Sequence, residues 1–299
     1  MTFTQHDTRI APHTRMIECE HGDDFFTLIS SGEIASACAS AKLISWRQSE
    51  LSWYGNVDLD ECLRYAQQGH APLVARSDDL LAKLEDKLPL TSAWKRVDDV
   101  VGAIPNVPAF LAGHPQCMRR RQHVDRDDAP LAIFMDMTAS AGISADHMLA
   151  RGITVLALAR VLVSHRAVEL YAGIALGEGR RGYRTSPRGS WRSTVAWKID
   201  TTPLDLARAA WLISAPAMAR GIGYGLAAAL INRRDWDGNW PFGDHSLHVR
   251  TQADSARRAF GNMQLVHVPP IHSTDELVTR PLEWIQRELA QLTGKGEDE

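Results

Sequence analysis

The pattern of apolar positions predicts alternating strands and helices from residue 130 onward. Residues 131–135 form an uninterrupted apolar run of strand length, which is typical of a buried strand. Residues 148–166 are apolar nearly all round, which indicates a helix packed on most of its surface. Two further strands are predicted at 168–176 and at 193–199, and apolar and polar residues alternate in the second of them.

Beyond residue 200 the pattern predicts further helices and two short strands. Thr202 is expected to cap a helix, with Pro203 at its first position and Asp205 three residues after the cap. The later elements are expected to be a glycine-interrupted helix at 216–232, a strand at 247–250, a helix at 253–260, a strand at 264–268 and a helix that starts at 279 and ends at Gly294.

This order of elements predicts an open α/β sheet. A crossover helix between two strands implies parallel pairing and a right-handed connection. No helix separates the strands at 168–176 and 193–199. We therefore expect them to form an antiparallel hairpin at one edge of an otherwise mostly parallel sheet.

The first part of the chain has weaker periodicity. Helices are predicted at 57–68 and 78–88, whereas 102–115 contains three prolines and two glycines and is expected to be a loop or a short strand with turns. A domain boundary is placed near 125–129. The predicted organisation is a smaller, mainly helical region at 1–128, an α/β domain at 129–294 and a polar tail at 295–299.

Composition changes this picture little. Hydrophobic residues make up 44% of the chain and charged residues 23%, and the net charge is −3, so charge alone requires neither a nucleic acid nor a membrane partner. No apolar stretch reaches the roughly 18 residues of a membrane span. The four cysteines, Cys19, Cys38, Cys62 and Cys117, form no Cys-x-x-Cys pair. Reduced thiols in a cytoplasm are therefore expected.

The candidate chemistry lies where the first predicted strand ends. Asp136 closes that strand, and Thr138 and Ser140 follow at spacings of two. Open α/β sheets bind ligands at the carboxyl ends of their strands, and oxygen ligands of this kind suit Mg²⁺. The alternative is that the two hydroxyls only satisfy backbone groups of the turn. His248 and His267 are interpreted as structural strand histidines.

Residues 130–293 resemble a von Willebrand factor A-like domain in their succession of strand, Asp-x-Thr-x-Ser, helix, hairpin and Asp200-Thr-Thr turn. The resemblance implies a doubly wound, Rossmann-like sheet and a metal-ion-dependent adhesion site at which Mg²⁺ binds a partner's carboxylate. The family's usual Thr-Asp-Gly is absent. The resemblance maps the metal ligands onto Asp136, Thr138, Ser140, Thr201 or Thr202, and Asp254 or Asp244.

A second candidate surface is the basic segment 180–192. Arginines interleaved with Tyr183 and Trp191 favour contact with single-stranded nucleic acid, and Arg119–Arg121 could extend that surface. The alternative is a solvated hairpin tip whose charges discourage aggregation. The candidate nucleic-acid ligands are Arg180, Arg181, Arg184, Arg188 and Arg192.

The sequence lacks a phosphate-binding Gly-x-x-x-x-Gly-Lys loop, a Gly-x-Ser-x-Gly elbow and a His-Glu-x-x-His motif. These absences favour binding over catalysis. The leading hypothesis is a non-enzymatic protein-interaction module with a Mg²⁺-dependent contact at the top of the sheet. One alternative is a nucleic-acid-associated protein that uses the basic segment 180–192. The first half, with Trp53, Gly55 and residues 106–113, also resembles uncharacterised bacteriophage and prophage proteins, and a phage origin implies a host cytoplasm. Another is a structural subunit that uses 221–225 and 236–242.

Overall fold

The computed structural model describes residues 3–7, 14–19, 32, 48–85, 94–101, 104–123, 130–140, 142–163, 166–177, 192–223, 256–261, 263–271, 273 and 275–292. Within these ranges the chain is a mixed α/β protein with two sheets. The larger sheet has six strands and mostly parallel pairing, and the smaller has three strands.

Both strands and helices precede residue 130. They are β1 (Phe3–Asp7), β2 (Thr14–Cys19), a 3-10 helix (Gln48–Tyr54), α1 (Leu59–Gln68), α2 (Ala71–Glu85), β3 (Trp94–Asp99), β4 (Ile104–Pro105), α3 (Val107–Leu111) and β5 (Met118–His123). A capping box starts α1, because the Asp58 carboxylate accepts from the Glu61 N–H at 2.8 Å and Glu61 accepts from the Asp58 N–H.

The later elements follow the predicted order closely. They are β6 (Leu131–Asp136), α4 (Ala145–Val163), β7 (Val168–Gly177), β8 (Arg192–Ile199), α5 (Leu206–Ser214), a π-helix (Met218–Gly223), β9 (Gln264–Val268), α6 (Glu276–Thr279) and α7 (Pro281–Leu292). A helical turn at 256–259 precedes β9. The predicted strand at 247–250 lies outside the described residues.

The larger sheet has the strand order β1-β2-β8-β7-β6-β9. β7 and β8 pair antiparallel, so the predicted hairpin is confirmed. Its placement at the edge was wrong, because β2 pairs parallel to β8 and β1 lies beyond β2. Strands also occur within residues 1–128, the region predicted to be mainly helical: five of the nine described strands lie there, beside the 3-10 helix and α1 to α3. β1 and β2 are short and rich in polar residues, so apolar periodicity did not predict them.

Three predictions that concern helices need correction. The helix expected from Thr202 begins at Leu206 instead, and Asp205 is its cap, because the Asp205 side chain accepts from the N–H groups of Ala207 and Arg208. The 102–115 segment was expected to have almost no helix, yet α3 forms there with Asn106 as its cap and Pro108 in the first turn. The expected helix at 216–232 is a π-helix as far as residue 223, beyond which the segment is not described.

The main core lies on one face of the larger sheet. All six residues of β6 are buried, and Leu131, Ile133 and Met135 pack in that core with residues of α4 and α5. The opposite face carries a smaller cluster around Phe134, Tyr171 and Phe260. This alternation of neighbouring β6 residues between two packed faces explains why the strand is apolar without interruption.

Candidate functional site

The carboxyl end of β6 lies where the strand order reverses direction, between β7 and β9. Asp136 is the last residue of β6 and is fully buried. Its Oδ1 accepts the N–H of Thr138 at 2.7 Å, which forms the turn that leaves the strand. Thr138 is also buried, with 1% of its surface exposed. The acid and the first hydroxyl therefore face the interior of the protein.

The loops that follow β6 and β9 are joined by backbone pairing. Ala139 and Ile271 form a parallel bridge. The Ile271 N–H donates to the Thr138 carbonyl at 3.0 Å, and the Ser140 N–H donates to the Ile271 carbonyl at 2.9 Å. These bonds extend the β6–β9 pairing past the ends of the strands, across the position where an open sheet usually leaves a crevice.

A buried guanidinium holds the same two strand ends from the side of α4. The Arg151 side chain is 2% exposed. It donates to the Asp136 carbonyl at 3.0 Å, to the Pro269 carbonyl and, at 2.7 Å, to the carboxylate of Asp275. Arginine suits this place because its planar group presents several donors at fixed angles. Arg151 therefore connects β6, the loop after β9 and the start of α6.

A second buried guanidinium holds the far side of the loop after β6. Arg220, from the π-helix, is 1% exposed and donates to the carbonyls of Ile143 at 2.6 Å and Trp53 at 2.7 Å. Its guanidinium also lies 4.4 Å from the centre of the Trp53 ring, a cation–π distance. The loop that carries Ser140 is thus fixed from both sides by buried arginines.

Two of the predicted metal ligands, Thr201 and Thr202, do not lie near Asp136. Thr201 follows β8, and because β8 is antiparallel to β7 its end lies at the opposite edge of the sheet from Asp136. The Thr201 Oγ1 donates to the Val168 carbonyl at 2.6 Å, at the start of β7, whereas Asp136 pairs with Gly173. Five strand residues separate these levels, a distance of about 16 Å. Thr202 follows Thr201 at the same end of the sheet, opposite to the end at which Asp136 lies. Mapping either threonine onto the site was therefore wrong.

The predictions at two other positions stay untested. Asp254 and Asp244 lie outside the described residues, and among the described residues no group of three or more His, Cys, Asp or Glu side chains could hold a metal. Asp136 is fully buried, whereas the predicted ion would bind both Asp136 and a carboxylate of another protein. The Mg²⁺ contact stays a prediction.

We expect Asp136→Ala to reduce stability and not to remove an ion. The substitution leaves the Thr138 N–H without its acceptor, which should lower the free energy of unfolding by about 1–3 kcal/mol. The exposed Asp79 is a matched control, and Asp79→Ala should stay within about 0.5 kcal/mol of wild type. EDTA should leave wild-type denaturant curves unchanged, and a drop in the transition midpoint with EDTA would contradict this interpretation.

His267 lies on β9 beside this strand end. It pairs with Phe134, and the two rings stack with centroids 5.7 Å apart. Burial lowers the pKa of His267 to about 4; the Asp136 carboxylate opposes that shift, and Arg151 and Arg257 add to it. The imidazole is therefore neutral in the folded protein at neutral pH, which agrees with its interpretation as a structural histidine.

This pKa predicts a pH dependence of stability. Between pH about 6.5 and pH about 4 the unfolded chain binds a proton at His267 and the folded chain does not. The free energy of unfolding should therefore decrease by on the order of 3 kcal/mol as the pH is lowered from about 6.5 to about 4. Urea unfolding at a series of pH values should show this loss in wild type and a shallower slope in His267→Gln. Parallel pH profiles for the two proteins would contradict the assignment.

The smaller sheet carries a different kind of surface. Among the described residues, all the large apolar side chains that are exposed lie between residues 100 and 111. Val107, Phe110 and Leu111 stand at i, i+3 and i+4 of α3, so they share one helix face, and Phe110 and Leu111 are 66% and 78% exposed. We call the set the apolar surface; its members are Val100, Val101, Ile104, Val107, Phe110 and Leu111.

A polar scaffold holds the apolar surface in place. Buried Asn106 caps α3 by accepting from the Ala109 N–H, and its N–H donates to the Cys117 carbonyl at 2.7 Å. The Asn106 side-chain amide donates to Asp98 at 3.1 Å, and Asp98 also pairs with Arg119 at 3.1 Å. These bonds tie α3 to β3 and β5 and hold the apolar surface in place.

The predicted nucleic-acid ligands are mostly not described. Arg180, Arg181, Arg184 and Arg188 lie outside the described residues. Arg192 is the first residue of β8, where it stands between Thr14 of β2 and Gly177 of β7. Arg119–Arg121 lie on β5, the central strand of the smaller sheet.

Comparison with known protein families assigns most of the chain to a family. Residues 27–251 match the family described as a domain of unknown function, DUF7192. The chain belongs to the DUF7192 family. No curated protein and no solved structure matches it. The DUF7192 segment contains the whole of the smaller sheet and strands β6 to β8, whereas β1, β2 and β9 lie outside it.

Two features of this DUF7192 chain were missed by sequence reasoning. Arg151 lies in the apolar part of α4, between Asp146 of the first turn and Arg160 of the last, and a charge among apolar residues is a signal for a buried ion pair. The i, i+3, i+4 spacing of Val107, Phe110 and Leu111 was hidden by the surrounding prolines.

Among the described residues no helix is long and apolar enough to cross a bilayer.

Proposed function

We propose that this chain is a non-enzymatic protein-interaction module that binds its partner through the apolar surface. The observation that carries the proposal is that the exposed large apolar side chains of the described residues are confined to 100–111. Scattered exposed apolar residues need no explanation, but a contiguous group of them marks an interaction site.

The polar scaffold beneath α3 supports this proposal. A surface that is already ordered before binding loses less conformational entropy on association. Asn106 and Asp98 fix α3 against β3 and β5. The apolar residues at i, i+3 and i+4 of α3 share one helix face. The partner is therefore expected to present apolar side chains to that face.

The interaction is proposed at a different place from the one that the sequence predicts. At the top of the larger sheet, Asp136 is buried and the loops after β6 and β9 are paired. The finer assignment of the larger sheet as von Willebrand factor A-like also remains our proposal. It is supported by the strand order β8-β7-β6-β9 with antiparallel β8 and by the helix after β6.

Site-specific photo-crosslinking tests the proposed function. Position 110 is replaced by p-benzoylphenylalanine and the full chain is exposed to extract of the cells that make it, with the exposed position 283 on α7 as control. We expect a discrete cross-linked protein from position 110 and none from 283. That protein is then purified and titrated into wild type and into Phe110→Ser,Leu111→Ser.

The double substitution removes the two most exposed apolar side chains of α3 and should weaken binding by at least about a hundredfold, since burial of each contributes about 1.5–3 kcal/mol. Its free energy of unfolding should stay within about 1 kcal/mol of wild type, because both side chains are exposed. Equal cross-linking at both positions, or unchanged affinity of the double variant, would contradict the proposal.

A further inference from the structure

We infer that the partner contributes an acidic segment with apolar side chains to the apolar surface. This inference rests on the proposed function and specifies the chemistry of the partner. It draws on a second property of the same region, namely the charge of the strands that support α3.

The smaller sheet is basic within an acidic chain. Residues 94–123 contain five basic residues and two acidic ones, which gives a formal charge of +3 with histidines neutral, whereas the whole chain is −3. The remainder of the chain therefore carries −6. The basic residues are Lys95, Arg96, Arg119, Arg120 and Arg121, and the acidic residues are Asp98 and Asp99.

The strand register concentrates this positive charge. Arg96 of β3 stands directly opposite Arg121 of β5, and Asp98 stands opposite Arg119. Asp98 pairs with Arg119 at 3.1 Å and also accepts from Asn106. The register therefore gathers basic positions on β3 and β5, and a segment rich in carboxylates has the complementary charge.

The apolar component distinguishes a protein from other anions. Single-stranded nucleic acid binds to aromatic platforms on which bases stack, but five of the six members of the apolar surface are aliphatic. Residues 100–111 contain no Trp or Tyr, the residues that are enriched where proteins meet a bilayer interface. Aliphatic side chains beside arginines fit a peptide that alternates carboxylates with Leu, Ile or Phe.

Selection from a displayed library of short random peptides tests this inference on the full-length protein. Binders are selected on wild type and counter-selected on Phe110→Ser,Leu111→Ser. We expect the retained peptides to be enriched in both Asp or Glu and large apolar residues. Their affinity should fall steeply with salt and by about tenfold in Arg96→Gln,Arg121→Gln, whereas Arg280→Gln,Arg287→Gln on exposed positions of the α6–α7 region should leave it unchanged.

The outcomes separate this inference from the proposed function. Retained peptides that are apolar but not acidic, with affinity independent of salt, would overturn the acidic partner and leave the proposed function standing. A library that yields no binder dependent on Phe110 and Leu111 would count against both. Two parallel measurements use single-stranded oligonucleotides and vesicles of phosphatidylserine and phosphatidylcholine. If the oligonucleotides or the vesicles bind the apolar surface more strongly than the selected peptides do, the ligand of that surface is a nucleic acid or a membrane and not an acidic protein segment.

Discussion

We expect Arg151→Met to lower the free energy of unfolding by about 3–5 kcal/mol, because it removes one partner of a buried ion pair and leaves the others without a donor. Methionine keeps much of the side-chain volume, so the loss reports on polar contacts more than on a cavity. The affected acceptors are the Asp136 carbonyl, the Pro269 carbonyl and the Asp275 carboxylate. Denaturant unfolding followed by circular dichroism measures the effect.

Arg280→Met is the matched control for Arg151→Met. Arg280 is 62% exposed and pairs with Glu283 on the surface, where such pairs contribute about 0–1 kcal/mol. If Arg151→Met cost no more than Arg280→Met, the carboxyl ends of β6 and β9 would not depend on the buried guanidinium. The interpretation of this strand end as structural would then lose its main support.

The second large effect is expected at Gly152. This residue lies on α4 where α5 crosses it, and an added Cβ would stand 2.4 Å from both Cα and Cβ of Ser214 and 2.5 Å from the Ile213 carbonyl. Backbone atoms of α5 would have to move. Alanine improves helix propensity by about 1 kcal/mol, but we expect overpacking to exceed that gain and Gly152→Ala to lower stability by about 3 kcal/mol or more.

Gly142→Ala provides the comparison, because an added Cβ there meets nothing within 4 Å. It should change the free energy of unfolding by less than about 1 kcal/mol. Thermal unfolding of both variants under the same conditions measures the difference. A Gly152→Ala protein as stable as Gly142→Ala would show that α4 and α5 are not packed as closely as described.

The larger sheet was predictable where local pattern and packing agree. Strand β6 is buried on both faces, so its uninterrupted apolar run correctly predicted a buried strand. Strand β9 was predicted with the observed bounds. The β7–β8 hairpin followed from the absence of a helix between the two strands. By contrast, β1 and β2 join the sheet through pairing between residues far apart in sequence. The local periodicity of apolar residues does not reveal such pairing.

The candidate site was only partly predictable. The position of Asp136 at the end of β6 was foreseen, but its burial and its bond to Thr138 depend on the loop after β9 and on Arg151. The assignment of Thr201 was wrong because its edge of the sheet depends on the direction of β8. The exposure of α3 could not be predicted, since the same spacing usually marks a face that is buried in a core.

Backbone hydrogen–deuterium exchange of the full chain, alone and bound to the protein captured through position 110, locates the partner on the fold. If the partner binds through the apolar surface, exchange slows within residues 100–111 and is unchanged in the loops at 137–144 and 269–275. Protection of those two loops, with no change in 100–111, would place the partner at the end of the larger sheet and rule out binding through the apolar surface.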